Sequence, residues 1–169
     1  GHMAKHNVHV PKVIGLSNKE GLVLLEDLGD LTLERKFWES QNPEMAFDFY
    51  KLAVDEIAKI HYPCTKDRNS GCVAFKIEFN TERLLWEMNY AREHLLEKFL
   101  QLRFNEHESG VLQKSFTDVA ERLHREPKYL AHRDYHSRNL MIKTGRMRVI
   151  DFQDARLGPV QYDLVSLLR

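Results

Sequence analysis

The part of this chain that most constrains its fold is the change of hydrophobic period after Pro127. Leu140-Met141-Ile142 and Met147-Arg148-Val149-Ile150 are short apolar runs on either side of Thr144-Gly145. That pattern predicts two strands joined by a tight turn. A dense polar run, His132-Arg133-Asp134-Tyr135-His136-Ser137-Arg138-Asn139, leads into the first strand, and Asp151 stands where the second ends. Chemistry-bearing residues on a loop and at a strand end are aimed by rigid elements.

Helical spacing dominates before that point. Asn42-Pro43 reads as a helix start, with Phe49, Leu52, Ala53, Ile57 and Ile60 on one apolar stripe and Pro63 as its stop. Asn80 can cap a second helix carrying Leu84, Met88, Ala91, Leu95 and Phe99. A third is expected from about Gly110 to Arg125, with Leu112, Phe116, Val119, Ala120 and Leu123 inward. Upstream, Val8 to Ile14 reads as an edge strand or its approach. Gly21-Leu22-Val23-Leu24-Leu25 reads as a buried strand. Tyr162 to Arg169 opens a last helix. Trp38 and Trp86 are expected to pack, and His61, on a helical pattern, shows no local partner.

The 169 residues suit one core, and 25 basic against 25 acidic side chains leave no net charge to grip nucleic acid. No apolar run is long enough to cross a bilayer. Cys64 and Cys72 do not make a disulfide framework and read as thiols in a reducing, cytoplasmic setting. Gly1-His2-Met3 reads as the remnant of a cleaved tag.

Residues 132–154 supply what phosphoryl transfer needs. A carboxylate must orient an acceptor hydroxyl and take its proton, and a second carboxylate with an amide oxygen must hold Mg²⁺ against phosphates. The same stretch admits a rival reading, in which His132, Asp134, His136 and Asp151 ligate the metal of a hydrolase. That reading leaves Asn139 unexplained. A third reading is a non-catalytic, pseudokinase-like binding domain.

His132 to Asn139 fits the catalytic-loop pattern H-R-D-x-x-x-x-N, and Asp151-Phe152-Gln153 stands where kinases carry Asp-Phe-Gly. The departures narrow the resemblance. His136 replaces the usual Lys, Gln153 replaces Gly, and the short span from Asp154 to Gln161 leaves no room for a peptide-binding activation segment. The pattern resembles the aminoglycoside phosphotransferase and choline kinase superfamily. Ile150-Asp151-Phe152-Gln153-Asp154-Ala155-Arg156-Leu157-Gly158-Pro159 with Tyr162-Asp163-Leu164 looks most like the bacterial kinases of cell-wall amino sugars.

That resemblance implies an α+β, mostly helical fold: the C-terminal lobe of the protein-kinase-like fold, residues 31–169, with remnant N-lobe strands and hinge in residues 4–30. It implies transfer of the ATP γ-phosphate to a small-molecule acceptor, with Asp134 as base and Asn139 and Asp151 as Mg²⁺ ligands. Glu26, Asp27 and Leu28 would contact adenine through main-chain groups. His136 and Asp154 are candidate site-lining residues, His132 a scaffold residue, and Asp163 a support for the catalytic-loop backbone. No glycine-rich phosphate loop precedes residue 30, and Lys12 lacks the Val-Ala-Ile-Lys setting. The chain is therefore expected to lack the upper phosphate clamp and covering C-terminal helices, and to self-associate through apolar surfaces.

Overall fold

The computed structural model describes residues 1–40, 43–68 and 71–169. Helices α1 (His2–Lys5), α2 (Leu33–Glu39) and α3 (Pro43–Lys59) lead into a π-helical segment, Ile60–Cys64. Pro63 lies inside that segment and does not stop the helix; a wider turn accommodates a residue with no N–H to donate. The expected cap Asn42 lies outside the described residues. The α3 stripe behaves as its spacing requires, with Ala53, Ile57 and Ile60 buried.

Helix α4 (Thr81–Ala91) is capped by the Asn80 side chain, which accepts from the Arg83 N–H at 2.8 Å. It continues as a π-helical run, Arg92–Phe99. Helix α5 (Glu106–Arg125) starts earlier than its apolar spacing suggested. Asn105 and Glu108 form a capping box, a signal present in the sequence.

The strands form three antiparallel pairs: β1 (Val13–Ser17) with β2 (Leu22–Leu25), β3 (Tyr129–Ala131) with β6 (Arg156–Gly158), and β4 (Leu140–Lys143) with β5 (Arg146–Val149). The β4–β5 turn has φ 50° at Thr144 and 71° at Gly145, the left-handed pair that a two-residue hairpin loop demands. Leu140, Met141, Ile142, Met147 and Val149 are buried, β5 packing on α3 and β4 on α2. Segments from far upstream pair onto this hairpin: the Ile142 N–H donates to the Leu31 carbonyl and the Val149 N–H to the His9 carbonyl, each at 2.8 Å. Met3 and Val8 join the same core. Helix α6 (Val160–Leu168) closes the described fold and packs on β3.

Three expectations fail. The strand at residues 22–25 is not buried: every residue of β2 is exposed, from 47% at Leu25 to 61% at Leu22 and Leu24. It pairs only with β1, and among the described residues no layer covers either face. Trp38 and Trp86 are exposed, as are Leu95, Phe99 and Val119 on the predicted inner stripes. Helical spacing put those residues on one face, but α4 and α5 bury a short stretch against each other, centred on Leu84 and Ala120.

Candidate active site

The catalytic-loop region is held from beneath by a fully buried carboxylate. Asp163 accepts from the His132 N–H at 2.8 Å and from the Arg133 N–H at 2.9 Å. His61 donates to the same carboxylate at 2.9 Å, from 102 residues away. The His61 pairing was not read from sequence. Its signal was a polar residue on the buried stripe after Ile57 and Ile60, which requires a partner.

His132 is the scaffold residue expected. Its ring is buried and its Nε2 donates to the Ile150 carbonyl at 2.9 Å, tying the loop to the end of β5. Burial pulls its pKa below the ordinary value, against the pull of Asp163 and the Ile150 hydrogen bond. Tyr135 is also fully buried; its hydroxyl donates to the Ala53 carbonyl at 2.7 Å and anchors the loop to α3.

Above this frame, the β4–β5 hairpin brings the predicted residues together. The Asn139 amide donates to the Asp134 carbonyl at 3.0 Å and to the Asp151 carboxylate at 3.2 Å. Asp151 adopts a left-handed φ of 65°, a conformation an aspartate tolerates better than most residues. Its carboxylate is met by two neutral amides, Asn139 and Gln153, the latter at 2.6 Å. An exposed carboxylate beside an amide, with no basic side chain seated on it among the described residues, fits a hard divalent cation. His136 lies against the Asn139 amide at 3.5 Å. Asp154 turns instead toward Arg133 at 3.4 Å and Arg156 at 4.0 Å.

The hydrolase set does not assemble. With His132 turned inward, the three-ligand cluster found among the described residues is His2, His6 and Asp67, elsewhere on the surface.

On the other side of the hairpin, Lys143 of β4 reaches the segment expected to face adenine. Its Nζ donates to the Glu26 carboxylate and to the Asp27 carbonyl, each at 2.8 Å. This contact lowers the Glu26 pKa, the Lys143 hydrogen bond being the main cause. The Glu26 N–H is also engaged, with the Lys12 carbonyl.

A cavity of about 340 Å³ opens beside Asp134, lined by Arg133, His136, Leu123, Pro159, Tyr162 and Val165 among others. Its size suits a small molecule. No protein group among the described residues pairs with the Asp134 carboxylate, which borders this space.

A loop held by a buried aspartate, followed by a hairpin with an amide at its entrance and a carboxylate at its exit, is the arrangement expected of the C-terminal lobe of the protein-kinase-like fold. The comparisons agree. A crystal structure of an aminoglycoside-3'-phosphotransferase of type VIII superposes with a TM-score of 0.60 at 15% identity, covering 99% of this chain and 60% of that one. A choline/ethanolamine kinase family protein from Mesorhizobium loti gives 0.59 at 16% identity, over 98% of this chain and 51% of that one. The whole chain, residues 1–169, matches the phosphotransferase enzyme family, and it belongs to that family.

Among curated relatives, the N-acetylmuramate/N-acetylglucosamine kinase of Neisseria meningitidis serogroup B is 33% identical over 96% of this chain and 46% of its own length. The protein of the same name from Pseudomonas putida is 30% identical over 99% of this chain and 46% of its own length. The chain thus spans about half the length of the curated relatives it matches.

Proposed function

We propose that the protein containing this segment moves the γ-phosphate of ATP to a hydroxyl of a small acceptor, an amino sugar. The observation that carries this reading is the convergence of Asp134, Asn139 and Asp151 at one end of the β4–β5 hairpin. The names of the relatives supply the substrate class.

In this reading the acceptor lies in the cavity beside Asp134, and that carboxylate takes the hydroxyl proton. The acceptor oxygen bonds to the γ-phosphorus as the bond to the β-phosphate oxygen breaks, releasing ADP. Asn139 and Asp151 would hold Mg²⁺, which would supply neutralisation of phosphate charge. Main-chain groups of Glu26, Asp27 and Leu28 would contact the adenine edge, the Glu26 carbonyl and the Leu28 N–H being the candidates. The Glu26 N–H and Asp27 carbonyl are already engaged, and Lys143 fixes the segment. Asp163, His61 and Tyr135 touch no substrate and keep the loop in register.

The test is a coupled ADP-release assay on the full-length protein with N-acetylglucosamine and N-acetylmuramate. Asp134→Asn should lower turnover by about 10²–10⁴-fold while leaving nucleotide binding intact. Near-normal turnover would remove Asp134 from the role of base. Asp151→Ala should weaken nucleotide binding more with Mg²⁺ than without it; equal losses would reject the metal assignment. The 169-residue chain assayed beside its parent should bind ATP weakly, transfer no phosphate and self-associate through its exposed apolar surfaces. A parent that binds nucleotide without turning over either sugar would favour the non-catalytic reading.

A further inference from the structure

Next to the catalytic base stands a residue in a costly conformation. Arg133 has φ 80°, the left-handed region, which costs a residue with a Cβ about 1–2 kcal/mol relative to glycine. Backbone strain of this kind, carried by a residue other than glycine beside the candidate site, points to a role for its side chain.

Its guanidinium is one of three that converge behind the cavity. Arg133 reaches Glu87 at 3.5 Å and Asp154 at 3.4 Å; Arg83 reaches Glu87 at 3.7 Å; Arg156 reaches Asp154 at 4.0 Å. Arg133 and Arg156 both lie over the Phe79 ring, at 5.8 and 5.6 Å. The Tyr162 hydroxyl donates to Glu87 at 3.2 Å, taking part of that carboxylate's capacity. Three guanidiniums therefore share two carboxylates, leaving one positive charge uncompensated.

Two of their donors, the Nε groups of Arg83 and Arg133, are buried and make no hydrogen bond among the described residues, the Arg83 Nε standing only at ion-pair distance from Glu87. Arg156 registers the crowding: burial first, then Arg133 and Arg83, lower its pKa. Buried orphan donors and a surplus charge are costly without a ligand and favourable with an anion. Arg133 itself lines the cavity that Asp134 borders.

We propose that the Arg133-centred cluster is an anion subsite of the acceptor cavity, which takes the carboxylate of an acidic amino sugar while Asp134 addresses its hydroxyl. This deepens the proposed function and rests on it. Arg133 and its two neighbours would then set the preference between a sugar bearing a carboxylate, such as N-acetylmuramate, and the neutral N-acetylglucosamine. The strain at Arg133 is explained as the cost of presenting a cation one residue from the base.

The experiment compares kcat/KM for the two sugars in the full-length protein and in its Arg133→Gly, Arg133→Lys and Arg156→Gln variants. Arg133→Gly relieves the backbone strain, so loss of folding is not the expected outcome. The ratio of acidic to neutral kcat/KM should fall by about 10–100-fold in Arg133→Gly, the range for a charge-assisted hydrogen bond, and be partly kept in Arg133→Lys. An unchanged ratio, whether both sugars lose equally or neither loses, would overturn the subsite and leave the cluster a structural brace. If the parent phosphorylates neither sugar, the proposed function fails separately. Calorimetric titration of the two sugars into the parent and Arg156→Gln then decides the subsite: a preference for the acidic sugar lost in the variant supports it, and no preference in the parent refutes it.

Discussion

Two hairpins of similar sequence character have opposite fates in this molecule. In β4–β5, Leu140, Met141, Ile142, Met147 and Val149 are buried, and two upstream segments hydrogen-bond to the strands. In β1–β2, Val13, Ile14, Leu16, Leu22, Val23 and Leu24 are all more than half exposed. Both are short, apolar and antiparallel. The difference lies in what surrounds them, since a two-stranded ribbon gains stability only from a layer packed on its face. The region proposed to carry the chemistry is the one the helices cover, and the lip expected to face adenine is tied to it through Lys143.

The sharpest way to break this comparison is at the support of the covered region. Asp163→Ala leaves two backbone N–H groups and His61 without their acceptor inside the core. We expect a loss of about 3–5 kcal/mol, the range for removing one partner of a buried charged network, read as a shift of the urea midpoint. A loss under about 1 kcal/mol, the ordinary size of a point-mutation effect, would show that the loop does not depend on this carboxylate.

Next in size is Gly158→Ala. A Cβ there would stand 2.7 Å from the fully buried Phe79 ring and 3.4 Å from Ala131. Phe79 is fixed by stacking on Tyr162 at 4.6 Å, so it has little room to yield. Overpacking of this kind costs about 1–3 kcal/mol; thermal unfolding is the check, and an unchanged Tm would mean the ring moves freely.

The covered region should also respond to pH through His132. Its folded pKa lies below the unfolded value of 6.5 because burial disfavours the charged ring. The unfolded state therefore binds more protons below that value. The stability from the neutral ring is complete above pH 6.5 and is lost as pH falls toward the folded pKa. Urea midpoints at pH 7.5 and 5.5, near and below the ordinary histidine range, should differ in that direction. His132→Gln keeps a donor for the Ile150 carbonyl and should flatten the dependence; an identical slope would assign it to other groups.

The smallest effect belongs to the uncovered hairpin. Leu22→Thr and Leu24→Thr keep β-strand chemistry and remove exposed apolar area. In this chain they should change stability by no more than about 0.5 kcal/mol and reduce self-association in sedimentation. A loss comparable to Gly158→Ala would mean β2 is packed in solution.

Much of the candidate site's placement could be read from residue order. Asp134, Asn139 and Asp151 have proposed roles tied to fixed spacing around a hairpin whose turn, Thr144-Gly145, announces itself. The structure brings the Asn139 amide to the Asp134 main-chain carbonyl at 3.0 Å and to the Asp151 carboxylate at 3.2 Å. Asp163 was expected to hold the loop and does so. The partner of His61 lies 102 residues away, a separation that no local pattern encodes. The cluster of Arg83, Glu87, Arg133, Asp154 and Arg156 was likewise scattered among ordinary surface charges.

What the sequence determined by itself was local: helix faces, caps, turn chemistry and the polar residues flanking one hairpin. These depend on neighbours within a few positions, where backbone sterics and hydrogen bonding decide. Burial was decided only by tertiary structure. Residues 21–25 carry the apolar run of a core strand, yet exposure depends on whether a second layer arrives, and no local pattern encodes that. The same holds for the three arginines gathered around Glu87 and Asp154. Their charges are visible in the sequence, but their sharing of two carboxylates is a property of α4, the catalytic loop and β6 meeting in space.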